Sequence, residues 1–114
     1  MHAFDVLGDP VRRRILELLA DCERSSGEVV AVVQAEFRIT QSAVSQHLRV
    51  LRESGFASQR VQGPRRIYTV EPAPLQEVDE WLERFRSFWT PKLEALALEV
   101  ARGKRRRSGQ TRRS

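Results

Sequence analysis

The sequence predicts a mainly α-helical domain that carries one small β-hairpin. Three observations lead there. Apolar residues recur at helical spacing in successive stretches from Val11 to Val100. Two of those stretches, one ending at Phe37 and the next beginning at Gln41, are separated by a corner of three residues. Two short runs of strand formers then flank Gly63-Pro64.

Residues 3–7 add a short leading helix. Asp9-Pro10-Val11 opens the first clear one: Asp9 is a capping residue, and Pro10 falls at the first helical position, where a missing N–H costs nothing. Val11, Ile15, Leu18 and Leu19 then share a face, with Arg12, Arg13 and Glu17 on others. Ser25-Ser26-Gly27-Glu28 has capping-box spacing and leads into Val29, Val30, Val33 and Phe37. The β-branched run also suits a strand, but the cap and the length favour a helix. Thr40 caps a helix from Gln41 to about Glu53, and Gly55 follows as the residue that ends it.

The hairpin pairs Phe56–Gln62 with 65–70, and Pro72 and Pro74 close it. A long amphipathic helix is expected from Leu75 to Trp89. On it Leu75, Val78, Trp81, Leu82, Phe85, Phe88 and Trp89 fill an arc of roughly 140°. Thr90-Pro91 interrupts that helix, giving a kink or a stop and restart, and Leu93, Leu96 and Val100 continue the apolar face. The expected domain is 1–101. Residues 102–114 are expected to be a disordered basic tail, with nothing to bury.

Charge is unevenly spread. That tail carries seven of the 20 basic side chains and none of the 15 acidic ones, so the remainder of the chain is slightly acidic. A uniformly cationic coat for nucleic acid is excluded, and any contact by the body must come from local patches. Equally, the tail suits a solubilising end in a chain whose cations are nearly all arginine. A single cysteine, Cys22, excludes an internal disulfide. The first residues lack a basic region followed by an apolar run, and no apolar stretch nears the ~20 residues of a membrane helix. The chain reads as soluble and cytoplasmic, with no membrane partner.

Segment 41–53 holds the informative chemistry. Wound as a helix it places Ala43, Val44, His47, Leu48, Val50 and Leu51 on one side and Gln41, Ser42, Ser45, Gln46, Arg49 and Arg52 on the other. An ordinary solvated face mixes Glu and Lys; this one is short-polar and arginine. Arg suits guanine edges, Gln suits adenine, and serine hydroxyls permit close approach to phosphates. The face sits on the second helix of a tight pair and precedes a hairpin bearing Arg60, Arg65 and Arg66, with no acid from Ser54 to Val70. Helix pair and basic hairpin together make a winged helix–turn–helix. Double-stranded DNA is the expected partner, and a dyad-related pair of such domains would reach two half-sites.

Asp9-Pro10-Val11-Arg12-Arg13-Arg14-Ile15-Leu16, followed by Thr40-Gln41-Ser42-Ala43-Val44-Ser45-Gln46-His47-Leu48-Arg49-Val50-Leu51, resembles the arsenic-repressor (ArsR-type) family of bacterial winged-helix regulators. The resemblance covers about residues 5–100. It implies a homodimer that represses transcription from promoter DNA, with autorepression common among such relatives. On the matching positions, Gln41, Ser42, Ser45 and Gln46 would contact the operator and Arg65 and Arg66 would act from the wing. Metal-sensing members carry Glu-Leu-Cys-Val-Cys-Asp where this chain has Glu28-Val29-Val30-Ala31-Val32-Val33. Their second metal site needs Asp and His on the last helix, which here has Asp79, Glu80 and Glu83 but no histidine. No metal and no cofactor are therefore expected. The sequence looks closer to metal-independent members, whose last helix has an aromatic stretch like Arg86-Ser87-Phe88-Trp89.

His47 falls among Val44, Leu48 and Leu51, which favours a packed histidine over a protonation switch. Cys22 lies between Asp21 and Glu23, whose charges disfavour a reactive thiolate. The aromatic stripe on the last helix suits a dimer seam better than a ligand pocket, because its arc is wider than one small domain covers. Phe4, Trp81, Phe85, Phe88, Trp89, Leu93 and Leu96 are the candidate seam residues. An enzyme is not expected, as no nucleophile–base set or phosphate loop is present. The competing reading is a dimeric interaction module that keeps the fold and holds nucleic acid only loosely, through its tail.

Overall fold

Side-chain caps set the helix starts. In the computed structural model, which describes the backbone of residues 2–110 and the side chains of 2–103, α1 spans Ala3–Leu7 and α2 spans Pro10–Asp21. Asp9 Oδ1 accepts from the backbone N–H groups of Val11 (2.8 Å) and Arg12 (3.2 Å), satisfying two donors that the helix leaves unpaired. β1 is a two-residue strand, Arg24–Ser25, and α3 follows as Ser26–Phe37. The capping box forms in full: Ser25 Oγ accepts from the Glu28 N–H, and Glu28 Oε1 accepts from the Ser25 N–H. α4 is Gln41–Glu53, β2 Ala57–Gln62, β3 Arg65–Val70 and α5 Pro72–Gln110.

The end of α4 is a Schellman turn. Gly55 takes φ +82°, its N–H reaches the Arg52 carbonyl (3.2 Å), and the Phe56 N–H reaches the Leu51 carbonyl (2.9 Å). Phe56, the residue after the turn, is fully buried with Leu51. Around them pack Val11, Ile15, Leu19, Val29, Val33, Val44, Leu48 and Tyr68, one core for α1 to β3, with Leu75 at its margin.

The sheet has strand order β1-β3-β2, antiparallel throughout. The hairpin matches expectation apart from its first residue; β1 has no counterpart in the sequence reading. Two residues carry no periodicity, and this pair is defined only by its partners, Tyr68 and Ile67. Pro72 and Pro74 do not merely close the hairpin, for they lie in the first turn of α5, where proline lacks only a donor the helix cannot use. The helix therefore starts three residues before Leu75. Pro91 lies inside the same continuous helix, so the stop-and-restart alternative is not what forms.

The described chain divides into two units, the first ending at Val78 and the second beginning at Asp79. The backbone of 102–110 continues α5, where the sequence reading expects a disordered tail; arginine and lysine are good helix formers. The rest of that tail, 111–114, lies outside the described residues.

Two predictions test this account. Gly55→Ala places a Cβ in open space, so its cost is backbone conformation alone, about 1–2 kcal/mol, and Phe56→Ala should cost about 3–5 kcal/mol. Urea unfolding at unchanged m measures both. The second concerns acid. Partial burial pushes the Asp9 carboxyl up, but the hydrogen bonds from the Arg12 and Val11 N–H groups bring it below its usual value. A bidentate pair with Arg14, at 2.8 and 3.0 Å, lowers Glu36. Carboxyls depressed in the fold contribute stability that is whole above their unfolded values, about 4, and lost as pH falls through the folded ones. Unfolding free energy should thus be level from neutral pH down to about 5 and then decline. Glu36→Gln should make that decline shallower; an unchanged acid limb would refute the assignment.

Candidate nucleic-acid interface

The corner between α3 and α4 is fixed by one left-handed residue and two side-chain hydrogen bonds. Arg38 ends α3 in the left-handed region (φ 56°), Gln34 Nε2 donates to the Ile39 carbonyl (3.2 Å), and Thr40 Oγ1 accepts from the Ala43 N–H (3.0 Å). α4 buries Val44, Leu48 and Leu51. The opposite side presents Gln41, Ser42, Ser45, Gln46 and Arg49 to solvent, and Arg52 is half-buried beside them. Arg49 is braced along the helix by Glu53 (3.0 Å). All six residues expected on the polar face are on it.

His47 is half-buried, and its surroundings go beyond a packed ring. Its Nδ1 lies 3.3 Å from Nη1 of Arg12. A guanidinium only donates, so Nδ1 is the acceptor in this contact. The same guanidinium donates from Nε to the Val6 carbonyl and from Nη2 to the Asp5 carbonyl, both at 3.0 Å. Arg12 thus closes the carbonyl end of α1, stands at the start of α2 and touches α4. The sequence reading gave Arg12 no part beyond a helix face. The signal available to it was the run of arginines immediately after a capped helix start.

The wing is the β2–β3 hairpin, turning at Gly63 (φ +61°) and Pro64. Opposite partners are Gln62 with Arg65, Val61 with Arg66 and Arg60 with Ile67. Strand alternation puts Arg60, Gln62, Arg65 and Ile67 on one face and Gln59, Val61, Arg66 and Tyr68 on the other. The three wing arginines are therefore not equivalent. Arg60 holds Glu23 with two hydrogen bonds, 2.8 and 2.7 Å, and Thr69 Oγ1 lies 3.4 Å from the same carboxylate. Arg65 reaches the Glu28 carboxylate at 3.2 Å. Arg66 is exposed and its side chain makes no ion pair among the described residues. The Arg60 hydrogen bonds lower Glu23, and those same bonds raise Arg60. Glu28 is lowered chiefly by the hydrogen bonds from Ser25, with Arg65 adding its charge. Glu23 is a further residue that sequence reasoning missed, because its partner is 37 positions away.

In the unit beginning at Asp79, the Trp81 and Phe85 rings lie 4.7 Å apart, Phe85 stacks on Trp89 at 6.3 Å, and Lys92 Nζ sits over Phe88. Phe85, Phe88, Leu93 and Leu96 are exposed, Trp89 is half-buried, and Phe4 and Trp81 also present surface. Cys22 is exposed at the end of α2. Among the described residues, no three or more His, Cys, Asp and Glu side chains group as metal ligands would, and no helix is long and apolar enough to cross a membrane.

Residues 9–59, from the α2 cap into β2, match the model of the arsR family of bacterial regulatory proteins. The chain is 35% identical over 96 residues to the HTH-type transcriptional regulator Rv2034 of Mycobacterium tuberculosis, covering 84% of this chain and 83% of that protein. It is 27% identical over 84 residues to the transcriptional repressor SdpR of Bacillus subtilis, covering 74% and 89% respectively. A crystal structure described as a possible transcriptional regulator for arsenical resistance superposes at TM-score 0.63 with 33% identity, over 87% of this chain and 96% of that one. With its helix pair, wing and these likenesses together, the chain belongs to the arsR family of winged helix–turn–helix, DNA-binding transcriptional regulators.

Proposed function

We propose that the protein is a homodimeric, sequence-specific repressor that acts on promoter DNA, its own included, without a metal. The exposed face of α4 carries this reading. Gln41, Ser42, Ser45, Gln46 and Arg49, with Arg52 at their edge, form a row of hydrogen-bonding groups on the second helix of the pair, and the only acid beside them, Glu53, is occupied by Arg49. Such a row suits base edges in a major groove, and Arg66 on the wing suits a neighbouring phosphate. Arg65, next in sequence, lies on the opposite face of the hairpin and is held by Glu28. Arg38, exposed at the corner before α4, is a further cation on this side of the chain's turn.

Dimerisation is supported by the last helix. Phe88 is 67% exposed, and Leu93 and Leu96 are 59% and 57% exposed, a run of apolar surface that a second copy would cover. Phe4 and Trp81 are assigned to the same contact. Independence from metal rests on residue chemistry: Val30 and Val32 stand where metal-sensing relatives carry cysteine, and both pack against the core.

Fluorescence anisotropy with a duplex from upstream of the chain's own coding sequence tests the proposal against a scrambled duplex of equal length. The native duplex should bind about 10³-fold tighter or better. Ser45→Ala and Gln46→Ala should each cost about 1–3 kcal/mol of that preference. Phe88→Glu should shift the protein to monomer by light scattering and lose the preference with it. Equal binding of the two duplexes, abolished by changing Arg105, Arg106 and Arg107 to glutamine, would instead favour an interaction module that holds nucleic acid by its tail.

A further inference from the structure

β2 is an edge strand of the sheet: it pairs with β3 alone, while β1 forms the other edge on the far side of β3. The carboxylate of Glu23, one residue before β1, nevertheless reaches β2. It lies 3.4 Å from the Thr69 hydroxyl on β3 and accepts two hydrogen bonds from Arg60 on β2, at 2.8 and 2.7 Å. One side chain thus spans all three strands. By the register, Arg60 and Thr69 share a sheet face, and Arg66 lies on the opposite one. We infer that Arg60 is a positioning residue rather than a DNA contact: with Glu23 it clamps the outer strand of the wing to the α2–β1 junction and so fixes where Arg66 is presented.

This inference rests on the DNA-binding reading, but its physics does not need DNA. Two ion-pair hydrogen bonds in a planar fork are the geometry that fixes orientation as well as distance. Ala57, Ile67 and Tyr68 anchor the base of the hairpin by burial, but its tip is exposed. Val61, 71% exposed, shows that the outer part of the wing is not anchored by burial. The pair occupies two of the five N–H donors of Arg60 and fixes the plane of its guanidinium.

The test is a charge swap in the full-length protein. Arg60→Ala, Arg60→Glu, Glu23→Arg and the double variant Arg60→Glu with Glu23→Arg are compared with wild type, beside Arg66→Ala. Amide hydrogen exchange in the free protein reads the clamp. Each Arg60 or Glu23 single variant should exchange about fivefold faster across β2 and β3, near the upper range for an exposed pair, and the swap should restore protection. Binding to the upstream duplex across a salt series reads its consequence. Arg60→Ala should weaken binding by a similar factor, with a salt slope changed by well under the ~0.9 that one phosphate contact contributes, whereas Arg66→Ala should lower the slope by about that amount. The swapped protein should bind like wild type, which a phosphate-contacting Arg60 could not do once replaced by glutamate. Unchanged exchange in the single variants would remove the clamp. Protection restored by the swap without restored binding would place Arg60 on the DNA and overturn the inference. If wild type binds neither duplex while the exchange pattern holds, the DNA-binding reading fails and the clamp stands.

Discussion

The placement of α4 depends on the guanidinium of Arg12. Its side chain is 13% exposed, and its donors are shared among the last carbonyls of α1, the cap residue Asp9 and the ring of His47. Helix ends leave carbonyls unpaired, and two carbonyls of α1 find their donor here; Arg13 supplies another to Leu7 at 2.6 Å. Because the same planar group also meets His47, the orientation of α4 is tied to where α1 ends. A lysine offers a point charge and could not serve these acceptors from one rigid fork. Burial of Val44, Leu48 and Leu51 sets which face of α4 turns inward, and the contact with Arg12 adds a polar fixed point beside that row.

Most of the helical frame was legible because it is written in local chemistry. Asp9 before Pro10, Ser25 three before Glu28, Thr40 before Gln41 and Gly55 after Glu53 each act on backbone groups within a few residues, and all four do so here. The polar face of α4 was legible for the same reason, since a helix's period assigns its faces without reference to the rest of the fold. What escaped was non-local. β1 exists because Tyr68 and Ile67 lie beside it, and a two-residue strand has no pattern of its own. Pro72 was ambiguous in principle: proline both ends strands and begins helices, and only the direction of the following chain decides. The pairing of Arg60 with Glu23 links residues far apart in sequence, and a basic hairpin reads the same with or without it.

That last point changes how the wing's charge is understood. Counted from sequence, the hairpin offers three equivalent arginines. In the fold two of them are occupied, by Glu23 and Glu28, and the third stands on the opposite face. Ion pairs at exposed positions contribute little to stability, so their importance here is geometric: they decide which cation leaves the wing in a position to meet another molecule.

Outside its basic tail the chain is slightly acidic, yet its family binds a polyanion. A net charge says little when the charges are sorted by partner. Glu17 and Glu36 are engaged by Arg14, Glu23 by Arg60, Glu28 by Arg65 and Glu53 by Arg49. These acids are screened at short range by the arginines beside them. Arg38 at the corner, Arg52 on α4 and Arg66 on the wing make no ion pair among the described residues. Phosphates sense the local field within about a Debye length, roughly 8–10 Å at ordinary salt, and not the sum over the chain. What the body offers an anion therefore depends on how its charges are paired as well as on how many there are, and a count of residue types does not give the pairing.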